Sequence, residues 1–310
     1  MKSLLLGVGL AALLSTSAMA ETIGVSMALF DDNFLTVLRN GMQQYADSKP
    51  GVTLQIEDAQ NDISKQLNQI QNFVASGVDA IIVNPVDTDA TVAMSKAAEN
   101  AGIPLVYVNR EPINVDKLPK NQAFVASDEK QSGTLETKEV CKLLGGKGNV
   151  LVIMGELSNQ AARQRTADIH DVIKNDPNCQ GMKVTDEQTA NWQRTQAANL
   201  MTNWLSSGRK FDAVISNNDE MAIGAIQAMK AAGKDPKSVV VAGIDATRDG
   251  LAALRAGDLK ATVFQDAAGQ GQGAVDAALK LAKGEHVDQK VYIPFQLVTP
   301  DNIDKFDKKN

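Results

Sequence analysis

Histidine is almost missing from this chain: His170 and His286 are the only two in 310 residues. A histidine-based metal site is therefore not expected, and no histidine base stands near a nucleophile. There is no excess of positive charge. Lysine and arginine number 31 against 37 acidic residues, a net charge of −6, which argues against binding nucleic acid or an anionic membrane surface. Beyond the first twenty residues no apolar run reaches eighteen, so no membrane span is expected there. Also absent are a G-x-S-x-G elbow, a P-loop and an H-E-x-x-H pair. The sequence offers no metal or cofactor motif.

What is present begins with a leader. Lys2 supplies a positive start, Leu4 to Leu14 an apolar core, and Ala18-Met19-Ala20 a small-x-small cleavage site. This is the plan of a secretory signal peptide over residues 1–20, too short to span a bilayer comfortably. The exported chain then begins near Glu21 with a net charge of about −7, since Lys2 leaves with the leader. The remaining length suits two domains of ordinary size. Cys141 and Cys179 are the only cysteines, and outside the cytoplasm two thiols in one domain are expected to pair. The closed loop of about forty residues is worth roughly 3 to 4 kcal/mol of chain entropy.

The most informative stretch is Phe211 to Gly233. Ala213, Val214 and Ile215 read as a strand buried on both faces, which stops at Asn217-Asn218-Asp219-Glu220. A helix then carries Ala222, Ile223, Ile226 and Met229 on one side, with Asp219 as its expected cap and Gly233 as its stop. Residues 79–102 repeat the plan about 130 residues earlier: Asp-Ala, an apolar strand, Asn84, an acidic helix start and an Ala-Gly end. Each copy leads to a further strand. Leu105 to Val108 is closed by Asn109 and Arg110, and Val239 to Ile244 by Asp245. Two similar βαβ blocks imply two lobes of one design. Because ligands of open α/β sheets sit beyond the carboxyl ends of strands, the polar residues there are binding candidates.

The other strands obey the same rule. Thr22 to Leu29 runs into Asp32 and Phe34, where a helix striped by Leu38, Met42 and Tyr45 begins. Val52, Leu54 and Ile56 form a second strand, and Ile63, Leu67, Ile70 and Phe73 stripe the helix after it. The alternation restarts after Phe124 to Ala126, at Ser127-Asp128. Beyond it lie a helix near Gly133 to Leu144, the strand Val150 to Met154 and a helix holding Arg163 and Arg165. Another strand begins near Met182 and ends at Asn191-Trp192. Trp204 lies in an apolar helical stripe and reads as core, whereas Trp192 lies in a turn. The strand Ala261 to Phe264 ends at Gln265. Gly269-x-Gly271-x-Gly273 invites a dinucleotide reading, but the spacing is GxGxG and no ribose-binding acid follows. Glycines permitting close helix packing are the better reading. Tyr292 to Val298 reads as a last crossing between lobes, and the lysine-rich tail as a solvated end.

Collected together, the strand-end candidates are Asp32, Phe34, Asn84, Asn109, Arg110, Arg165, Trp192, Asn218, Asp245 and Gln265. Two arginines face two carboxylates, the amides supply donors and acceptors, and two aromatic faces can cover a ring. That inventory suits a neutral polyhydroxy ligand, whose hydroxyls donate to carboxylates and accept from guanidiniums.

VNPVDTDA, VNREP, NNDEMAIGAI and GIDAT, as they stand here, resemble the periplasmic sugar-binding proteins of ABC importers, of the ribose- and galactose-binding type. ALFDDNFLTVLRNGM, ELSNQAARQRT and TANWQRTQ are most similar to the myo-inositol- and rhizopine-binding members. The resemblance covers nearly all of residues 21–300. It implies an α/β, two-lobed periplasmic binding protein fold, each lobe a parallel sheet flanked by helices, joined by a three-strand hinge near Ser127, Gln265 and Gln296. The lobes are expected at residues 21–126 with 266–296, and at 127–265 with 297–310. It also implies that the ten candidates contact the ligand, Asn84 least clearly. Many ribose-type members have Asn at the position of Asp32, Asp at that of Asn109 and Phe at that of Trp192, so ribose is less favoured here than a six-membered ring. The implied ligand is myo-inositol, with a pyranose, a pentose or an amino-inositol (rhizopine) as alternatives. The implied partners are a membrane permease and a chemoreceptor, and the chain is expected to act as a monomer by hinge closure.

Two rivals come from other classes. A glycoside-acting enzyme could use Asp32 and Asp245 as an acid and base pair. A sugar-responsive repressor shares the two-lobe plan but needs a helix-turn-helix before the first strand, where this sequence has the leader instead.

Overall fold

A computed structural model describes residues 20–310. The leader anticipated at residues 1–20 lies, but for its last residue, outside the described residues. Among the described residues no helix is long and apolar enough to cross a membrane.

The first lobe is laid down as β1 (Glu21–Met27), α1 (Asn33–Asp47), β2 (Val52–Asp58), α2 (Ile63–Ser76), β3 (Ala80–Val83), α3 (Thr91–Ala101), β4 (Leu105–Val108) and β5 (Gln122–Ala126). The second follows as α4 (Ser132–Leu144), β6 (Lys147–Met154), α5 (Gln160–Asn175), β7 (Gly181–Thr189), α6 (Arg194–Ser206), β8 (Ala213–Ser216), α7 (Asp219–Ala231), β9 (Val240–Ala242), α8 (Arg248–Arg255) and β10 (Thr262–Phe264). The chain returns to the first lobe for α9 (Ala267–Ala282) and β11 (Lys290–Tyr292), then ends in β12 (Gln296–Val298).

The first sheet is parallel in the order β11-β5-β4-β3-β1-β2 and the second in the order β7-β6-β8-β9. The order reverses between β1 and β3 in one, and between β6 and β8 in the other. At such switch points neighbouring connections leave on opposite faces and open a crevice. Both sheets are covered on both sides, which is why their central strands read as unbroken apolar runs. Ile23, Val25, Ile82 and Val106 pack under α1 and α9. Ile81, Tyr107 and Phe124 face Ile70, Phe73 and Met94 of α2 and α3. In the second lobe Leu151, Ile153 and Val214 meet Met201 and Trp204, so Trp204 is core as expected.

The GxGxG run lies inside α9, and a methyl group at Gly271 would stand 2.6 Å from the Leu38 carbonyl oxygen. Gly41 returns the favour, since a methyl there would meet the Cα of Ala268 at 2.8 Å. Close packing of α1 on α9 accounts for Gly271, while a methyl at Gly269 would meet the Asp266 carboxylate and one at Gly273 would meet Val125 of β5.

Between Tyr292 and Val298 the chain passes from one lobe to the other: β11 pairs with β5 in the first lobe, β12 pairs antiparallel with β10 in the second, and the link bends between them. One expectation needs correction. The tail is not a solvated end. Ile303 and Phe306 are three residues apart on one side of a short helical turn, and both are buried. Phe306 packs on Phe264, and Asn310 donates to the carbonyls of Asp245 and Gln265 and accepts from Ala267 N–H. Lysine content hid an apolar pair.

Cys141 of α4 and Cys179 form a disulfide across 38 residues. Both sulfurs lie in the core between α4, α5 and the second sheet. Closing that loop should stabilise the fold by about 4 kcal/mol. Reduction, or the pair Cys141→Ser and Cys179→Ser, is expected to lower the melting temperature by many degrees. Equal melting of oxidised and reduced protein would contradict this.

Candidate functional site

The strand ends of the two sheets meet around one cavity of about 400 Å³, its opening to solvent included. Asp32, Phe34, Asn109, Arg110, Arg165, Trp192, Asn218, Asp245 and Gln265 all line it. Asn84 does not. It is fully buried beneath the site, where its amide donates to Val108 O (3.2 Å) and to Asn109 Oδ1 (3.3 Å). It steadies Asn109, whose own Nδ2 donates to Gln270 Oε1 (3.2 Å).

Several lining residues are held in unusual backbone. Asn109 (φ 67°), Trp192 (φ 67°) and Asp245 (φ 123°) all adopt positive φ without being glycine. Such strain is tolerated where the surrounding structure fixes it, and it concentrates at binding sites. Trp192 is fixed from below by Gly155. A methyl group there would come within 2.2 Å of the indole ring, so the ring lies flat on bare backbone. Phe34, on the first turn of α1, is buried on the cavity wall.

The polar atoms divide into those already engaged and those left for a ligand. Asp32 caps α1 through Leu35 N–H (2.8 Å), and the rest of its carboxylate lines the cavity. Asn218 caps α7 by accepting from Met221 N–H (3.0 Å), which leaves its Nδ2. Arg110 donates from Nη1 to the Pro85 and Val86 carbonyls, at 2.8 and 3.4 Å. Gln265 accepts from Arg165, and its Nε2 has no partner among the described residues. The Asp245 carboxylate, 3% exposed, meets charges but no hydrogen-bond donor among the described residues. Burial raises the pKa of Asp32, partly offset by the Leu35 N–H and by Arg110. Burial raises that of Asp245 well above the usual range, against the pull of Arg165.

The cap of α7 is therefore Asn218 and not Asp219. Asp219 turns inward, fully buried, to accept from Thr262 Oγ1 (2.7 Å) and Thr247 N–H (3.2 Å). Burial lifts its pKa to about 7. Gly243 and Gly250 pack on it so closely that a methyl group at either would approach within 2.4 or 2.0 Å. It pins the loop that presents Asp245.

Glu129 and Asn159 line the cavity too, and the strand-end inventory omitted both. Glu129 holds the Arg165 guanidinium by two bonds, Nε to Oε2 and Nη2 to Oε1, each 2.8 Å. Arg165 Nη1 donates to Asn217 O (2.7 Å). The balance is thus not two arginines against two carboxylates, because Glu129 adds a third. Its signal was its place just past β5, where Ser127-Asp128-Glu129 follow a strand end as Asn109 and Asn218 do. Both members of the pair are nearly water-free, at 4% and 3% exposure. Removing one leaves the other charge stranded, so Arg165→Met should cost about 3 to 5 kcal/mol of stability. Thermal melts should show much of this loss recovered in the double variant Glu129→Gln/Arg165→Met. A double variant no more stable than Arg165→Met alone would mean that the pair is not the source.

Comparison with known proteins follows the same direction. Residues 23–286 match the periplasmic binding protein domain. The chain is 67% identical over 310 residues, the full length of both, to a candidate rhizopine-binding protein of Rhizobium meliloti. An ABC transporter solute-binding protein from Bacillus halodurans, solved with bound myo-inositol, is 42% identical with a TM-score of 0.89, covering 96% of this chain and 100% of that one. The Caulobacter myo-inositol-binding protein bound to myo-inositol is 28% identical with a TM-score of 0.83, covering 94% and 97%. With two parallel-sheet lobes, strand ends converging on one cavity and a family domain over most of its length, the chain belongs to the periplasmic binding protein family.

Proposed function

We propose that the protein, exported by cleavage after Ala20, captures a cyclic polyol between its lobes and delivers it unaltered to an ABC permease, acting as a monomer. The favoured ligand is myo-inositol. One observation carries the reading: in a cavity that Phe34 and Trp192 both line, there are unengaged donors from Arg110, Asn218 and Gln265 beside carboxylates of Asp32 and Asp245. Aromatic faces suit the C–H faces of a six-membered ring, and alternating donors and acceptors suit a ring bearing a hydroxyl at every carbon. The inositol-bound relatives support the same choice. A nucleophile or a water-activating pair is not part of this reading. The closed face would also suit a chemoreceptor.

Thermal shift across cyclitols, aminocyclitols, pentoses and hexoses tests the ligand. A shift of several degrees is expected with myo-inositol, and Arg165→Ala is expected to lose it. A large shift with an aldose and none with any cyclitol would overturn the choice.

An aminated cyclitol is the second reading, favoured by Asp245 and by the rhizopine-binding relative. The groups facing Asp245 are Arg165, Asp219, Asp32 and Glu129, and Glu129 already occupies Arg165. Closure over a neutral ring buries Asp245 and raises its pKa, so that in the myo-inositol complex it carries a proton and donates to a ring hydroxyl. The complex then holds a proton that the open protein has lost, so myo-inositol affinity falls as pH rises through that window. An ammonium group on the ring would neutralise Asp245 instead, and no proton would be taken up. Calorimetry in buffers of different ionisation enthalpy should show proton uptake with myo-inositol and little with an aminocyclitol. Equal uptake with both would refute the role of Asp245.

A further inference from the structure

Asn159 stands at the N-terminus of α5 in extended backbone, yet its side chain makes no capping bond to that helix. An asparagine there normally accepts from the helix's own second or third N–H. Here its amide is engaged elsewhere and is 1% exposed. Oδ1 accepts from the Trp192 indole N–H (3.0 Å), and Nδ2 donates across the cleft to Val86 O (3.1 Å) in the opposite lobe. Val86 O also receives Arg110 Nη1 at 3.4 Å. One amide thus joins the aromatic wall of one lobe to the guanidinium anchor of the other.

Another free N–H of the same helix end is satisfied from across the cleft. The first N–H of α5, that of Gln160, donates to Thr88 Oγ1 (3.1 Å) of the first lobe. Thr88 also donates to Ser158 O, from N (3.1 Å) and from Oγ1 (2.9 Å), and Arg163 pairs with Asp89 at 2.9 Å beside it. All of these bonds join opposite lobes and can exist only when the lobes are together.

We propose that Asn159 is a positioning residue that locks Trp192 over the bound ring on lobe closure, while Thr88 holds the first N–H of α5 from the opposite lobe. When the lobes part, Val86 O and Thr88 leave together. Asn159 then turns back to its own helix and releases the indole. Both polar ends of its amide are taken by protein, so it acts through Trp192 and not by touching the ligand. The inference rests on the proposed ligand site, and its main effect should fall on ligand release.

The test compares wild type, Asn159→Ala, Asn159→Asp and Thr88→Val by stopped-flow tryptophan fluorescence, with myo-inositol or whichever polyol of the panel binds wild type. Trp204 is buried in the second lobe's core and gives a constant background. Both Asn159 variants should raise Kd about tenfold, the scale of a lost buried hydrogen bond with its partner left unpaired. The increase should lie in koff, with kon within about twofold. The ligand-induced fluorescence change should shrink, and melting of the ligand-free protein should hold in Asn159→Asp, which can still cap α5, and fall slightly in Asn159→Ala, which cannot. Thr88→Val should raise koff while keeping the fluorescence change. In a Trp192→Phe background, which lacks the indole N–H, Asn159→Ala should add less than it does in wild type. Unchanged koff and a full fluorescence change in Asn159→Ala would overturn the inference while leaving the ligand site standing. No binding of any polyol by wild type would overturn both.

Discussion

A guanidinium with almost no water around it dictates what lies beside it. Arg165 is tied to Glu129 just after the first crossing between lobes, to Gln265 at the second, and to the carbonyl that ends β8. A buried ion pair contributes little net stability once desolvation is counted, but a broken one is severely destabilising. The pair therefore fixes geometry more than it adds stability. It holds two hinge strands and one strand end in register, and the cavity is the space that remains in front of them.

The third crossing is handled by other means. The link between β11 and β12 bends from one sheet to the other, and the tail beyond it folds back so that Asn310 bridges Asp245, Gln265 and Ala267. The residues that present Asp245 are thus held from two sides, by the tail above and by Asp219 within. Positive φ at Asp245 and Ala246 is tolerated because of this double restraint.

Much of the architecture was legible because both sheets are parallel and buried on both faces. Their central strands stand out as short apolar runs, and several of them end where a polar side chain meets the cavity. That rule found Phe34, Trp192 and Asp245 without any catalytic motif. It erred at Asn84, which obeys the pattern one layer too deep, since a strand-end position does not reveal how far the neighbouring strand overhangs it. Glu129 was missed because Ser127-Asp128 reads as the boundary between lobes, and only the meeting of hinge and α5 buries the residue that follows. Asn159 was missed because an asparagine before a helix has a sufficient local explanation as a cap. Here tertiary contacts override it. Asn218 takes the cap expected of Asp219 for a similar reason: either can cap, and the buried hydroxyl of Thr262 draws Asp219 away.

What unites these features is a clamp whose inner surface is assembled from both lobes at once. A crystal structure grown with myo-inositol tests that most directly. The ring should lie between Phe34 and Trp192 with its hydroxyls on Asp32, Arg110, Asn218 and Asp245. A ring held by one lobe alone, or a cavity left empty while ligand sits elsewhere, would contradict the account.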